Sequence, residues 1–247
     1  MEPRLAQSEE AELMVILAFE ASGSVLSAAV LSDDDAVSSV WEEARFGQAA
    51  RLVPLAVSAL TKAEKSFADI THVAAGCGPG SFTGIRVALA AAKGVCLAQD
   101  VPGLGISGLQ ALAHNACATA AGRAILAVAD TRRGNLYAQI FTAKATPVSD
   151  VFDATDTQLP ALMAPSIAGR EFVLVGYAAT QLVPLFADYG HHAVSLPDMS
   201  AAALATSPDA VMIARLAADH IAHGHMPALS PLYLADPRLG PKKAKKR

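Results

Sequence analysis

The chain has 247 residues, 53% hydrophobic and 17% charged, with a formal net charge of −4; this suits one large domain or two small ones and excludes general disorder. No apolar run reaches the roughly 18 residues of a membrane span, Cys77, Cys96 and Cys117 form no C-x-x-C pair that would suggest a zinc ribbon or a disulfide framework, and Glu2, Glu9, Glu10 and Glu12 carry the wrong charge for a secretory signal. A soluble cytoplasmic protein is the expectation.

In chain order, residues 1–12 read as a flexible polar tail. Residues 13–19 form an apolar run of strand length that ends at Glu20, 21–24 a turn, 25–31 a second strand, 33–35 the next turn and 36–41 a third strand, a meander with short connections. A helix is expected over 48–62, with Pro54 as a kink or late start. A buried strand over 71–77, a glycine-rich loop over 78–83, a helix over 84–99 and a short strand over 103–106 follow. Ser107 is placed to cap a helix running to about residue 119. A second unit begins at Arg123, with a strand over 124–129 ended by Asp130, a turn over 131–134 and a return strand over 135–142. Beyond it come a helix near 157–163, a strand over 171–175, a helix over 178–187, a strand over 192–196 and an amphipathic helix over 208–223. Residues 237–247 read as a basic flexible tail.

The two halves echo each other. Ile16-Leu17-Ala18-Phe19-Glu20 with its turn and return strand resembles Ile125-Leu126-Ala127-Val128-Ala129-Asp130 with the same sequel. That suggests duplication of one unit. The predicted fold is α/β, with duplicated βββαβα units in two subdomains, the plan of the actin-like, sugar-kinase and heat-shock-chaperone ATPases (RNase H-like). The first subdomain is drawn over 13–120 and the smaller second one over 121–236.

The most distinctive stretch is Gly76-Cys77-Gly78-Pro79-Gly80-Ser81-Phe82-Thr83-Gly84-Ile85-Arg86. It follows a strand and opens a helix, where backbone amides can hold an anion. The spacing is that of neither a P-loop nor a dinucleotide fingerprint, since Gly84 is followed by Ile85 rather than Lys and position 83 is Thr. Gly105-Ile106-Ser107-Gly108-Leu109 lacks the last glycine of a nucleophile elbow. The simpler reading is a tight turn in which the glycines permit positive φ and Ser81 or Thr83 caps the helix.

The block 78–86, together with Ala91-Ala92-Lys93-Gly94 and Gly105-Ile106-Ser107-Gly108-Leu109-Gln110-Ala111-Leu112-Ala113, resembles the TsaB (YeaZ) family. Residues 16–22, Asp130-Thr131-Arg132-Arg133-Gly134-Asn135-Leu136-Tyr137-Ala138 and Pro231-Leu232-Tyr233-Leu234 agree with it. The resemblance spans about residues 13–236, is strongest through residue 140 and weak over 145–228. It implies the duplicated fold and a part in making threonylcarbamoyladenosine beside the anticodon of tRNA. The implied part is a non-catalytic scaffold that pairs with the TsaD transferase, its paralogue. A TsaE-like ATPase joins the pair, the chain forms a homodimer when alone, and tRNA is met only through the assembled complex. Some members carry a glycoprotease label. Where members often have a histidine at the start of the first helix, this chain has Gln48-Ala49.

An ATPase of this fold needs acids and small glycine-rich turns at its phosphate loops. Here the first loop is Glu20-Ala21-Ser22-Gly23-Ser24, where family members often have Asp in place of Glu20, and the second is Asp130-Thr131-Arg132-Arg133-Gly134, with arginines where small residues are wanted. The adenosine loop offers Gly176 followed by the bulky Tyr177. Glu20, Ser22, Asp130 and Gly176 therefore mark a degenerate nucleotide site, and Glu20 and Asp130 read as strand-end acids that cap turns. No cofactor of its own is expected, with ATP/ADP and metal on partner subunits. An ATP-dependent enzyme such as a small kinase and a glycoprotease-like peptidase are the alternatives. Ser81 and Ser107 lack a histidine partner for a hydrolase. His220, His223 and His225 at the end of the last helix either bind metal or favour its dipole and are solvated; the second reading is preferred, and no metal ligand is assigned.

The helices over 48–62 and 84–99 are apolar nearly all round, where one stripe suffices to cover a sheet. Either both are buried within the chain, or their outer faces pack on another protein. The resemblance implies that they build the dimer interface. Leu52, Leu55, Ala56, Ala59, Ile85, Ala88, Leu89, Ala92, Lys93 and Cys96 are the residues assigned to it, and Gly78, Pro79, Gly80, Ser81, Phe82, Thr83, Gly84 and Arg86 to the structural loop. Residues 242–247 hold five of the 19 basic residues, so 14 stand against 23 acids in the body, a charge of −9. Such a body is a poor stand-alone nucleic-acid binder, and the basic tail reads as a solvated end or an arm that touches tRNA.

Overall fold

Residues 13–32, 36–43, 47–131, 133–167, 170–195, 207–232 and 234 are described by the computed structural model, and the two tails drawn at 1–12 and 237–247 lie outside them. The first apolar run becomes β1 (Val15–Glu20), buried along its whole length because it is a central strand covered on both faces. β2 (Val25–Ser32) pairs with it antiparallel and β3 (Val37–Glu43) pairs antiparallel with β2. α1 (Gln48–Lys62) leads to β4 (His72–Gly76), parallel to β1, and α2 (Phe82–Gln99) leads to β5 (Gly103–Ile106), parallel to β4. The sheet order is β3-β2-β1-β4-β5.

The second sheet holds β6 (Ala124–Asp130), β7 (Leu136–Phe141), β8 (Phe152–Ala154), β9 (Glu171–Gly176) and β10 (His192–Ser195). Its order is β8-β7-β6-β9-β10, antiparallel on one side of β6 and parallel on the other. Strand for strand it repeats the first sheet, so the duplication heard in the two apolar runs is a duplication of topology. β8 is absent from the sequence-based expectation. With three residues it is too short to carry an alternating pattern, and its pairing with β7 alone creates it.

α1 and α2 cover one face of the first sheet, through Leu17, Phe19, Leu26 and Val30. α6 (Ala210–Ala222) covers the other, against Ile16, Ala18, Ala29 and Leu31. α3 (Gly108–Ala120) packs on the inner face of the second sheet, and α4 (Leu159–Ile167) and α5 (Ala179–Asp188) fill its outer face. α3 and α6 touch each other, so the two sheets flank a shared helical layer. A boundary at 120/121 thus separates the strands but not the helices. α3 joins the second sheet and α6 the first, because each must bury its apolar stripe and the inner sheet faces are the surfaces left to do so. Beyond α6 the chain returns along β5. The Gly105 N–H donates to the Pro227 carbonyl at 3.1 Å and the Leu232 N–H to the Cys77 carbonyl at 2.8 Å. No helix among the described residues is long and apolar enough to cross a membrane.

Candidate functional site

The first turn, the glycine loop, the end of β6 and the residue after β9 converge between the two units on a cleft of about 190 Å³. Ser22, Gly80, Asp130, Tyr177, Ser207 and Pro208 are among its walls. Ligand pockets for drug-sized molecules run to roughly 300–1,000 Å³, so this cleft is small. The reason is the loop itself. Ser81 donates its N–H to the Ser22 carbonyl at 2.8 Å. A Cβ at Gly80 would come within 2.7 Å of that carbonyl oxygen, and one at Gly84 within 1.8 Å of the Ala21 oxygen. The start of α2 is therefore seated directly on the backbone of the first turn.

The other loop residues serve the same seating. Gly78 takes φ +99° and Pro79 follows it through a cis peptide bond. Ser81 is the N-cap of α2, accepting the Gly84 N–H at 3.3 Å, and α2 begins at Phe82, two residues earlier than expected. Phe82 and Thr83 are exposed, and the Arg86 guanidinium lies 3.8 Å over the Phe82 ring. Gly84→Ala should therefore cost about 1–3 kcal/mol, the range for forced overpacking. Gly94, in the same helix, meets nothing within 4 Å, so Gly94→Ala should stabilise by up to about 1 kcal/mol. Urea unfolding of the two variants checks both signs.

Glu20 ends β1 fully buried. Its Oε1 accepts the Ser22 N–H, which caps the turn, while Oε2 has no hydrogen-bond partner among the described residues. A Cβ at Gly76 would fall 1.6 Å from Oε2, so the missing side chain is the notch that admits the carboxyl. Burial pushes the Glu20 pKa up to about 7, the hydrogen bonds from Ser22 and Ala21 pull against this, and nearby Asp209 raises it further. Glu20 is not among the cleft walls. The acid of the first loop lies beneath β4 as a core group whose titration burial has moved up to neutral pH.

Ser22 and Asp130 do reach the cleft, from the two units. Gly176 stands behind it at φ +100°, where a Cβ would come 2.1 Å from the Val128 oxygen, and it is Tyr177, about half exposed, that faces the opening. The Tyr177 N–H donates to the Val128 carbonyl at 2.9 Å, which ties the turn after β9 to β6. Cys77 is buried, and desolvation, with a smaller contribution from Glu20, raises its thiol to about 11; it is an inert core residue. Among the described residues no group of three or more His, Cys, Asp or Glu is arranged to hold a metal ion.

The surface of α1 and α2 corrects the residue assignment. Leu52, Leu55, Ala56, Ala59, Ile85, Ala88, Leu89 and Ala92 are buried in the chain's own core against the first sheet. Cys96 is half-buried beside Gly103, and Lys93 alone of the ten is exposed. A helix apolar all round has two apolar faces, and these residues occupy the inward one. The outward face shows Val53, Val57, Phe82 and Leu97, which are 44%, 47%, 51% and 87% exposed. Between them α2 presents the small residues Ala90, Gly94 and Ala98. On α1 the spacing of Leu52, Leu55, Ala56, Ala59 and Leu60 marks the inward stripe. On α2 neither periodicity nor composition separates the two faces, and the strand residues it contacts do.

Comparison with known proteins adds to this geometry. A family model described as TsaD, tRNA N6-adenosine threonylcarbamoyltransferase, matches residues 40–223. The chain is 34% identical over 124 residues to the tRNA threonylcarbamoyladenosine biosynthesis protein TsaB of Escherichia coli (strain K12), covering 50% of this chain and 53% of that protein. It is 29% identical over 135 residues to the protein of the same name from Bacillus subtilis (strain 168), covering 53% and 56%. The match thus spans about half the length of these curated relatives. Among solved structures, YeaZ from Pseudomonas aeruginosa superposes with a TM-score of 0.75 at 24% identity, over 90% of this chain and 100% of that one. It shares the fold.

Proposed function

This chain belongs to the TsaD-type family, on its TsaB (YeaZ) branch, and from that premise we propose that it is the non-catalytic scaffold of threonylcarbamoyl transfer to tRNA. It pairs with a TsaD-like catalytic paralogue through the outward face of α1 and α2. The observation that carries the reading is that face: four large apolar side chains, bordered by alanines and a glycine, exposed on two adjacent helices. Small residues let a partner helix approach closely, and contiguous exposed apolar surface marks an interaction site. A TsaE-like ATPase and tRNA meet the chain only in the assembled complex, and in isolation the same face closes a homodimer.

The nucleotide chemistry then belongs to the partners. Support comes from the buried Glu20, which does not line the cleft, and from the glycine loop seated where phosphates would need room. Calorimetry with ATP and magnesium on the isolated chain should register no micromolar binding, and binding at that level would favour an ATP-dependent enzyme instead. The direct test of the role is mass spectrometry of tRNA nucleosides after depletion of the protein. Threonylcarbamoyladenosine should fall and return when the wild-type gene is supplied. An unchanged level would overturn the reading.

A further inference from the structure

The last helix runs into His220, His223 and His225, a cluster that the cleft and the partner face leave unused. Gly224, at φ +67°, turns the chain back on itself, and the His225 N–H donates to the His220 carbonyl at 2.9 Å. That backbone turn brings the two rings together with centroids 4.8 Å apart and planes at 60°. Their Nδ1 atoms face each other at 2.9 Å. His223 is engaged elsewhere, its Nδ1 2.7 Å from the Asp219 carbonyl oxygen and 3.4 Å from the Asp219 carboxylate.

Two facing Nδ1 atoms share one proton, donated by one ring to the lone pair of the other. Displacing that proton frees both lone pairs, and a tilt of the two exposed rings turns them toward one ion beside the N–N line. With metal–nitrogen bonds of about 2.05 Å, two imidazoles at a right angle stand about 2.9 Å apart, whereas a tetrahedral pair needs about 3.4 Å. A right angle between nitrogen ligands is the preference of Cu²⁺ and Ni²⁺. We propose that His220 and His225 form a two-imidazole chelate for one tetragonal divalent ion of the copper–nickel class, with water in the remaining positions. Asp219, next to His220 in sequence, adds negative charge nearby. His225 also opens the segment that covers β5, so the ion ties the end of α6 to that covering segment.

Titration of the full chain, freed of any affinity tag, with CuCl₂ alone tests this by electron paramagnetic resonance and by melting. The expected result is one Cu²⁺ per chain with two equatorial nitrogens, micromolar affinity and a Tm raised by a few degrees. His220→Asn and His225→Asn should each weaken binding at least tenfold, while His223→Asn and the exposed His192→Asn leave it unchanged. Circular dichroism confirms that the variants fold. Absence of micromolar binding, or copper bound by either pair variant as tightly as by wild type, overturns the proposal.

Discussion

An Ala90→Glu, Gly94→Glu double variant is expected to stay folded and to lose binding to the proposed TsaD-like partner. Both positions are exposed and lie one turn apart on α2. A side chain at Gly94 meets nothing within 4 Å. Replacing that glycine gains up to about 1 kcal/mol of helix propensity, which offsets the few tenths lost to repulsion between like charges four residues apart. Within a partner interface the same two carboxylates would be stripped of water, at a cost of several kcal/mol for each charge left unpaired. Affinity should fall by at least about a hundredfold, since each 1.4 kcal/mol is tenfold. Ala88→Glu is the contrast. Ala88 is fully buried in the core of the first unit, and an unpaired charge there consumes most of a typical stability of about 5–15 kcal/mol, so this variant should not fold. Co-purification with the partner, read beside circular dichroism and thermal melts, separates the two. A double variant that binds like wild type would remove the outward face from the interface.

The second large effect is on pH. Glu20 has its pKa raised from 4.5 to about 7 in the folded chain. The unfolded chain therefore releases this proton first as pH rises. The stabilising contribution is complete below 4.5 and is lost progressively as pH rises through about 7, a difference on the order of 3 kcal/mol. Asp209, whose pKa burial also raises, acts in the same direction. Glu20→Gln keeps the shape and an oxygen for the Ser22 N–H but carries no proton to lose. Between pH 5 and 8 the wild-type unfolding free energy should decline relative to the variant by about that amount. Denaturant unfolding at several pH values measures the difference, and parallel profiles would show that Glu20 is ionised in the core at neutral pH.

These two effects mark how much of the site was legible beforehand. Residue types and spacing picked out Glu20, Ser22, Asp130 and the glycine loop, and the fold brings Ser22, Asp130 and Gly80 to one cleft. Gly76 opens the glycine-rich stretch, yet no neighbour in the chain shows that its missing side chain is what lets the Glu20 carboxyl lie under β4. Nothing local announces such a pair. Glu20 and Gly76 are 56 residues apart, and they meet only because β4 pairs parallel to β1. The segment over Gly103 and Gly105 is of the same kind. Those glycines make room for Leu229 and for the Ala228 carbonyl, more than a hundred residues downstream.

The sequence by itself determined the elements whose signals are local. The apolar run of β1 up to Glu20, its echo in β6, the turns between the first strands and the caps at Ser81 and Ser107 are all set within a few residues of chain. So is the duplication, because the same local signals recur in the same order. The tertiary structure alone decided which apolar face of α2 turns inward, that α3 and α6 exchange sheets, and that the Glu20 carboxyl titrates near neutral pH. A helix with apolar residues on every side specifies no phase of its own. Its orientation is chosen by the sheet it covers, just as a buried carboxyl takes its charge from surroundings that only the folded chain assembles.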